Sequence, residues 1–356
     1  MEPPKIESTY RERIIAFDIL RIIAAFAVVW LHVSAQRWTS TFPSLEWEIR
    51  NVYDAFVRWS VPVFVMISGA LFLDSSKTIS LKRLYRKNVV RIVVAFLFWS
   101  VIYAIYNQLK RCQWDGFYNL IFTIIQGPVH FWFLKMLIGL YIIIPLLRTI
   151  VAKRRDEVYF LCLSLITVFI LPLIWKIVGY LNYDLAFFLR KTTESLGLNV
   201  ALGYSGYFVL GHFLYNHQFG RRIRMMIYAS GMISFVCVVL ITHFISHHVN
   251  RAEIYFYDNL ILFTLLEATA MFVWATSSSH QVSPSIRRYV IHLSDFSFGI
   301  YLVHLLLLGA VCYFMPTSSA WWLLLFIPVF SILVFALSYL VIWVLRSVPF
   351  MKRFVL

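Results

Sequence analysis

Asp18, Arg21 and His32 stand inside Ile14–Ala35, a stretch otherwise made almost wholly of Ile, Leu, Val, Ala, Phe and Trp. An apolar run of this length crosses a bilayer as one helix. Ionisable groups within such a helix are costly to bury and mark functional sites. At 100° per residue the three fall within roughly a 60° arc of one helix face. Arg21 and His32 are separated by a rise of about 16 Å along that face. A neutral imidazole takes a proton from a hydroxyl and serves as a general base. Asp18 and Arg21, at i and i+3, can pair and lower the cost of burying both. A guanidinium toward one surface and an imidazole about 27 Å along the helix from Ile14 outline a path across the membrane.

Other positions have the same character. Arg86, Lys87 and Arg91 lead from a basic loop into an apolar run, and a cluster at that depth suits the phosphates of an anionic ligand. His130, Trp132 and Lys135 open another run, HFWFLKMLIGLYIIIP, and a lysine so placed needs a carboxylate, a polar cavity or a ligand. In SFGIYLVH, Tyr301 and His304 share a face, with Asp295 at the mouth of the same segment. Glu267 is alone in its run, so it is either paired with Lys135 or Arg58, or protonated. The string SVPVFVMISGALF brings Pro62 and Gly69, which favour a kink or a close approach of two helices.

Helices that cross a membrane must position these groups. The chain has 356 residues, 61% hydrophobic and only 14% charged, whereas a soluble domain carries about a quarter charged residues. Ten long apolar runs predict an all-α, polytopic membrane bundle forming a single domain: Ile14–Ala35, Ala55–Leu73, Val89–Leu109, Phe131–Ile150, Val158–Tyr180, Leu198–Asn216, Met225–Ser246, Ile254–Thr276, Phe296–Met315 and Ala320–Leu345. The first is expected to be retained, since no small-residue cleavage site follows it.

Lys and Arg alternate between the two sides. One side takes Lys5, Arg11 and Arg13, then Lys77 to Lys87, Arg148 to Arg155, Arg221 to Arg224, Arg287 and Arg288, and finally Arg346, Lys352 and Arg353. The other side takes only Arg37, Arg50, Lys110, Arg111, Arg190, Lys191 and Arg251. This bias places both termini in the cytoplasm. It also accounts for the net charge of +15 through membrane topology and cytoplasmic head groups, so no nucleic-acid partner is expected.

Three longer outer loops are predicted, Gln36–Asp54, Lys110–His130 and Leu181–Gly197. Their Trp38, Trp47, Trp114, Tyr118 and Tyr183 are either interfacial anchors or a stacking floor for a sugar. The four cysteines match no zinc or haem motif, and a Cys112–Cys312 disulfide on the outer side is one option. The histidines show no spacing such as HExxH, so no metal is expected.

In order along the chain, DILR…H, SVPVFVMISG, HFWFLK…GLYIIIPLL, GYFVLGHFL and SFGIYLVH resemble the motifs of membrane acyltransferase family 3. The resemblance covers nearly the whole chain and is greatest to its small members without an appended domain, such as those that O-acetylate enterobacterial common antigen. It implies that Arg21 and His32 form an arginine–ten residues–histidine motif, with His32 essential. It implies an acyl-CoA donor, by default acetyl-CoA, on the cytoplasmic side. It also implies a carbohydrate or lipid-linked glycan acceptor at the outer face of a bacterial inner membrane. On this reading Arg86, Lys87 and Arg91 hold the donor, while His130, Trp132, Lys135, Glu267, Tyr301 and His304 line the acceptor side. His32 is then either a base or a transient acyl carrier. His212 and Lys135 depart from the family strings, where aromatics are common. The competing reading is a transporter or flippase for a lipid-linked sugar or anion, with no chemistry.

Overall fold

The computed structural model describes residues 13–76, 80–112, 116–197, 199–277, 282–312, 320–351 and 355. Of the residues named above, Lys5, Arg11, Lys77, Trp114, Leu198, Met315, Lys352 and Arg353 lie outside these. Every regular element among the described residues is helical: α1 (Ile15–Ser34), α2 (Leu45–Ala55), α3 (Ser60–Phe72), α4 (Leu81–Leu84), α5 (Val90–Arg111), α6 (Gly116–Gln126), α7 (Trp132–Val151), α8 (Arg154–Ser164), α9 (Leu171–Leu181), α10 (Tyr183–Glu194), α11 (Asn199–Tyr215), α12 (Arg221–His248), α13 (Leu262–Ser277), α14 (Pro284–Val311) and α15 (Leu323–Leu345). Among the described residues, nine stretches are long and apolar enough to cross a membrane. The tenth expected span coincides with α11, which has 17 residues. The protein is a polytopic α-helical membrane bundle.

Local chemistry sets the boundaries. Side chains at Ser44, Asn182 and Ser283 accept from backbone N–H groups at the starts of α2, α10 and α14, where those donors have no partner within the helix. A π-turn at Tyr85–Val89 carries α4 into α5. Another at Leu165–Ile170 carries α8 into α9 just ahead of Pro172. Each pair is therefore one continuous rod, Leu81–Arg111 and Arg154–Leu181. A wider turn before a proline absorbs its missing donor.

At the centre α1 packs on α14, α15, α3 and α13. The closest helix pair is α3 with α11. A Cβ on Gly69 would lie 1.7 Å from the Phe208 carbonyl oxygen, and one on Gly211 would lie 2.0 Å from that of Met66. The two backbones are in direct contact, and only glycine at both positions allows it. The bundle's first and last helices meet at one end. Arg13, just ahead of α1, binds the Asp295 carboxylate at 2.5 Å, and Arg346, at the end of α15, donates to the Asp295 carbonyl at 2.6 Å.

The predicted outer loops are largely helical. Gln36–Asp54 contains α2, whose Glu46, Glu48, Arg50 and Asp54 gave it the composition of a loop. Those charges are partnered instead: Arg50 binds Glu46 at 2.7 Å and donates to the Ser34 carbonyl, and Asp54 pairs with Arg58. Trp38 and Trp47 are buried against Tyr257 and Val238, so they are neither interfacial anchors nor a sugar floor. The segments Lys110–His130 and Leu181–Gly197 hold α6 and α10, and their Tyr118 and Tyr183 are exposed. All four cysteines are free, so Cys112 and Cys312 do not pair.

Candidate active site

Three histidines from three distant parts of the chain meet beside α1. His32 lies near the end of α1, His304 within α14, and His130 in the 3-10 turn Val129–Phe131 that opens α7. Ring centroids are 5.2 Å apart for His32–His304, 5.2 Å for His130–His304 and 6.4 Å for His32–His130. Gly127, at φ +67° and with Phe96 pressed where a Cβ would sit, turns the chain into the His130 segment.

Hydrogen bonds fix part of this cluster. Nδ1 of His304 donates to the Tyr301 carbonyl at 2.7 Å, because a carbonyl only accepts. Its Nε2 therefore carries a lone pair, and that atom is buried without a partner. Both ring nitrogens of His130 are likewise buried and unpartnered. The Tyr301 hydroxyl donates to the His130 carbonyl at 2.5 Å, tying α14 to α7. Tyr103, Phe131 and Tyr301 surround His130 at 4.5 to 5.4 Å between centroids. A buried nitrogen with nothing to bind is costly, and here three of them from two rings are gathered beside His32.

A cavity of about 430 Å³ lies against the same face of α1. Arg21, Arg91, Arg346 and Asp295 line its charged part, and Val28, Phe64, Phe133 and Tyr301 line its apolar part. Val28 is one turn before His32, and the Tyr301 ring is 5.4 Å from that of His130. The cavity thus leads from cations toward the histidines.

Asp18 is fully buried beside its charged end. The expected Arg21 partner is 3.5 Å away. The closer partners are Arg13, at 2.8 and 3.2 Å, and the Ser294 hydroxyl, at 2.7 Å. Burial works against the charge on Arg13, but Asp295 and Asp18 outweigh it and hold that guanidinium above its ordinary value. With Asp18 so engaged, Arg21 turns to the cavity.

The other sequence-based candidates separate. Arg91 lines the cavity. Arg86 and Lys87 are exposed on the preceding π-turn and do not line it. Trp132 is 38% exposed and packs on Tyr204, outside the histidine cluster. Lys135 is exposed, and its ammonium donates to the Gln126 carbonyl at 2.6 Å over the Phe96 ring. It needs neither carboxylate nor ligand. Glu267 is buried on α13 with both carboxylate oxygens unpartnered, and it pairs with neither Lys135 nor Arg58. The Arg58 guanidinium is occupied by Asp54, the Tyr257 carbonyl and the Tyr257 ring. None of Trp132, Lys135 and Glu267 lines the cavity, and neither do His32, His130 and His304. The histidines adjoin its lining through Tyr301, whose ring contacts those of His130 and His304.

Sequence reasoning did not place Arg13, Ser294 and Arg346 at this site, nor Tyr141, which also lines the cavity. Only Arg13 and Arg346 carried a signal, as cations at the ends of apolar runs. His212 has a structural explanation, since its Nδ1 lies 2.7 Å from the buried Glu157 carboxylate.

No curated protein and no solved structure matches the chain. The family model Acyl_transf_3, an acyltransferase domain, matches residues 14–345, and the chain accordingly belongs to that family of membrane acyltransferases.

Proposed function

We propose that this acyltransferase moves an acetyl group from cytoplasmic acetyl-CoA to a hydroxyl of a surface or lipid-linked polysaccharide at the outer face of a bacterial inner membrane. The observation that carries this reading is the cavity with three arginines at one part and the histidine cluster beyond its apolar part. Guanidinium groups suit phosphates, and an apolar passage suits an uncharged acyl-bearing arm.

In this reading Arg21, Arg91 and Arg346 hold the donor's phosphates, with Arg86 and Lys87 drawing it from solution. Asp18 and Arg13 are positioning residues that keep Arg21 aimed at the cavity. His32 takes the proton of the acceptor hydroxyl as its oxygen bonds to the thioester carbonyl carbon. The carbon–sulfur bond then breaks, and the thiolate leaves and is protonated. Alternatively, His32 attacks the thioester first and passes the acetyl group on. His304, with its tautomer fixed, and His130 lie where they can accept from or reorient the His32 ring. The termini lie on the donor side, in keeping with the cation bias and with Arg13 and Arg346 meeting at Asp295.

The test is thiol release from acetyl-CoA by the purified protein in detergent, with an extract of lipid-linked glycans as acceptor. Wild type is expected to release thiol, and His32→Ala to bind acetyl-CoA without releasing it. Release by His32→Ala at the wild-type rate overturns the mechanism. A wild type that neither binds nor cleaves acetyl-CoA overturns the choice of donor.

A further inference from the structure

A second group of metal-ligating side chains lies away from the cavity, at the end of the bundle where α1 finishes. His243 and His247 are at i and i+4 on the last turns of α12, so they share a face. Glu48 of α2, 195 residues distant from His243, reaches between them. Its Oε1 lies 2.7 Å from His243 Nδ1 and 3.2 Å from His247 Nε2. All three ligand atoms lie within 4.8 Å of one another. Ligands on zinc at 2.0–2.2 Å are held about 3.3 Å apart in a tetrahedron, so only small side-chain rotations separate this arrangement from a coordination shell.

We propose that Glu48, His243 and His247 form a binding site for Zn²⁺ or a similar divalent transition metal. Two imidazoles and one carboxylate suit a borderline cation of this kind better than Mg²⁺ or Ca²⁺, which prefer oxygen donors. The side chains are between 31% and 43% exposed, which leaves an entry path and an open position for water. Phe42 and Trp47 flank the His247 ring at 5.2 and 6.1 Å and give the site one dry wall.

The metal would clamp α2 to α12. That matters because α2 backs the end of α1 that carries His32. Arg50 donates to the Ser34 carbonyl at 3.2 Å, and the Ser34 hydroxyl donates to Asp54 at 3.3 Å. The expectation of no metal overlooked this pair, because His243 and His247 have the i, i+4 spacing of HExxH without its Glu, and their third ligand is 195 residues away.

The experiment is metal binding by the tag-free, full-length protein in detergent, stripped with chelator and titrated with Zn²⁺ and with Co²⁺. Wild type is expected to retain a single equivalent of Zn²⁺ with micromolar affinity or tighter. Its Tm should rise with Zn²⁺, and visible d–d bands should appear with Co²⁺. The double variant His243→Gln/His247→Gln and the single variant Glu48→Gln, each shown to run as a single species in gel filtration, should lose the retained metal, the bands and the Tm rise. A wild type that retains no Zn²⁺ overturns the proposal. So does a folded double variant that retains as much as wild type. The wild-type measurement decides even if a variant fails to fold.

Discussion

Two buried polar clusters flank the end of α1, only two residues apart, and they are built on opposite plans. Behind Ser34, the groups of Asn51, Asp54, Arg58 and Tyr257 bind one another. Tyr257 donates to Asn51, Asn51 donates to the Val239 carbonyl, Arg58 holds Asp54, and Ser34 caps the chain of bonds. Around His32, by contrast, three ring nitrogens of His130 and His304 are buried and unpartnered. The first cluster holds α2 to α1 and to α12. The second keeps hydrogen-bonding capacity that the fold does not use, and it does so beside a cavity. In a membrane protein, where stray polar groups are expensive, such unspent capacity is a better marker of chemistry than polarity itself.

That contrast can be broken by separating activity from stability. His304→Gln should cost a factor of about 10²–10⁴ in acyl transfer, the range of a lost proton-handling group, while the Tm stays close to wild type. Comparable loss of Tm would put His304 with the structural cluster. Asp54→Ala should do the opposite and destabilise by about 3–5 kcal/mol, because it strands Arg58 in a buried setting. Denaturant or thermal titration in detergent reads this, and an unchanged midpoint would undo the assignment.

A smaller effect is expected at Glu253, a partnered group outside the spans. Burial pushes its carboxyl up, but the Tyr255 N–H, the Tyr180 hydroxyl and Lys176 together hold it below its ordinary value. A lowered value gives stability that is present above the ordinary pKa and is lost as pH falls through the folded one. Glu253→Gln should therefore lower stability by about 1 kcal/mol at pH 7, with the gap from wild type closing below about pH 4.3. A gap that widens in acid contradicts this sign.

The smallest effect is expected at Glu267, which is unpartnered like the histidines but neither lines the cavity nor belongs to the histidine cluster. Glu267→Gln should leave acyl transfer within about twofold, since the amide keeps the shape and removes no partner. A large loss would mean that missing partners alone, without the cavity, mark the working groups.

The spans were legible because hydropathy and cation bias act locally and each run carries its own signal. His32, Tyr301 and His304 were legible because helical spacing puts them on faces that apolar residues would otherwise occupy. What the chain hid was pairing across distance. Arg13 looks like a tail charge until Asp18 and Asp295 are seen together beside it, 282 residues apart from the latter. Lys135 and Glu267 drew attention as lone charges, but a nearby carbonyl answers the first, and the second does not line the cavity. The helix α2 was concealed by its own charges, since partnered and solvated carboxylates read alike in sequence.

The glycine contact between α3 and α11 has a mechanical consequence. With backbone touching backbone at two levels, neither helix can rotate or slide without driving a Cα into a carbonyl. The pair behaves as a single stiff plate, and any gap that opens for a bulky substrate must be made by other helices. The natural seam is the one where α1 meets α14 and α15, which also runs past the histidines and is closed at one end by the Arg13 and Arg346 contacts to Asp295. Those two arginines would then act as a latch on the seam, and Arg346 lines the cavity as well.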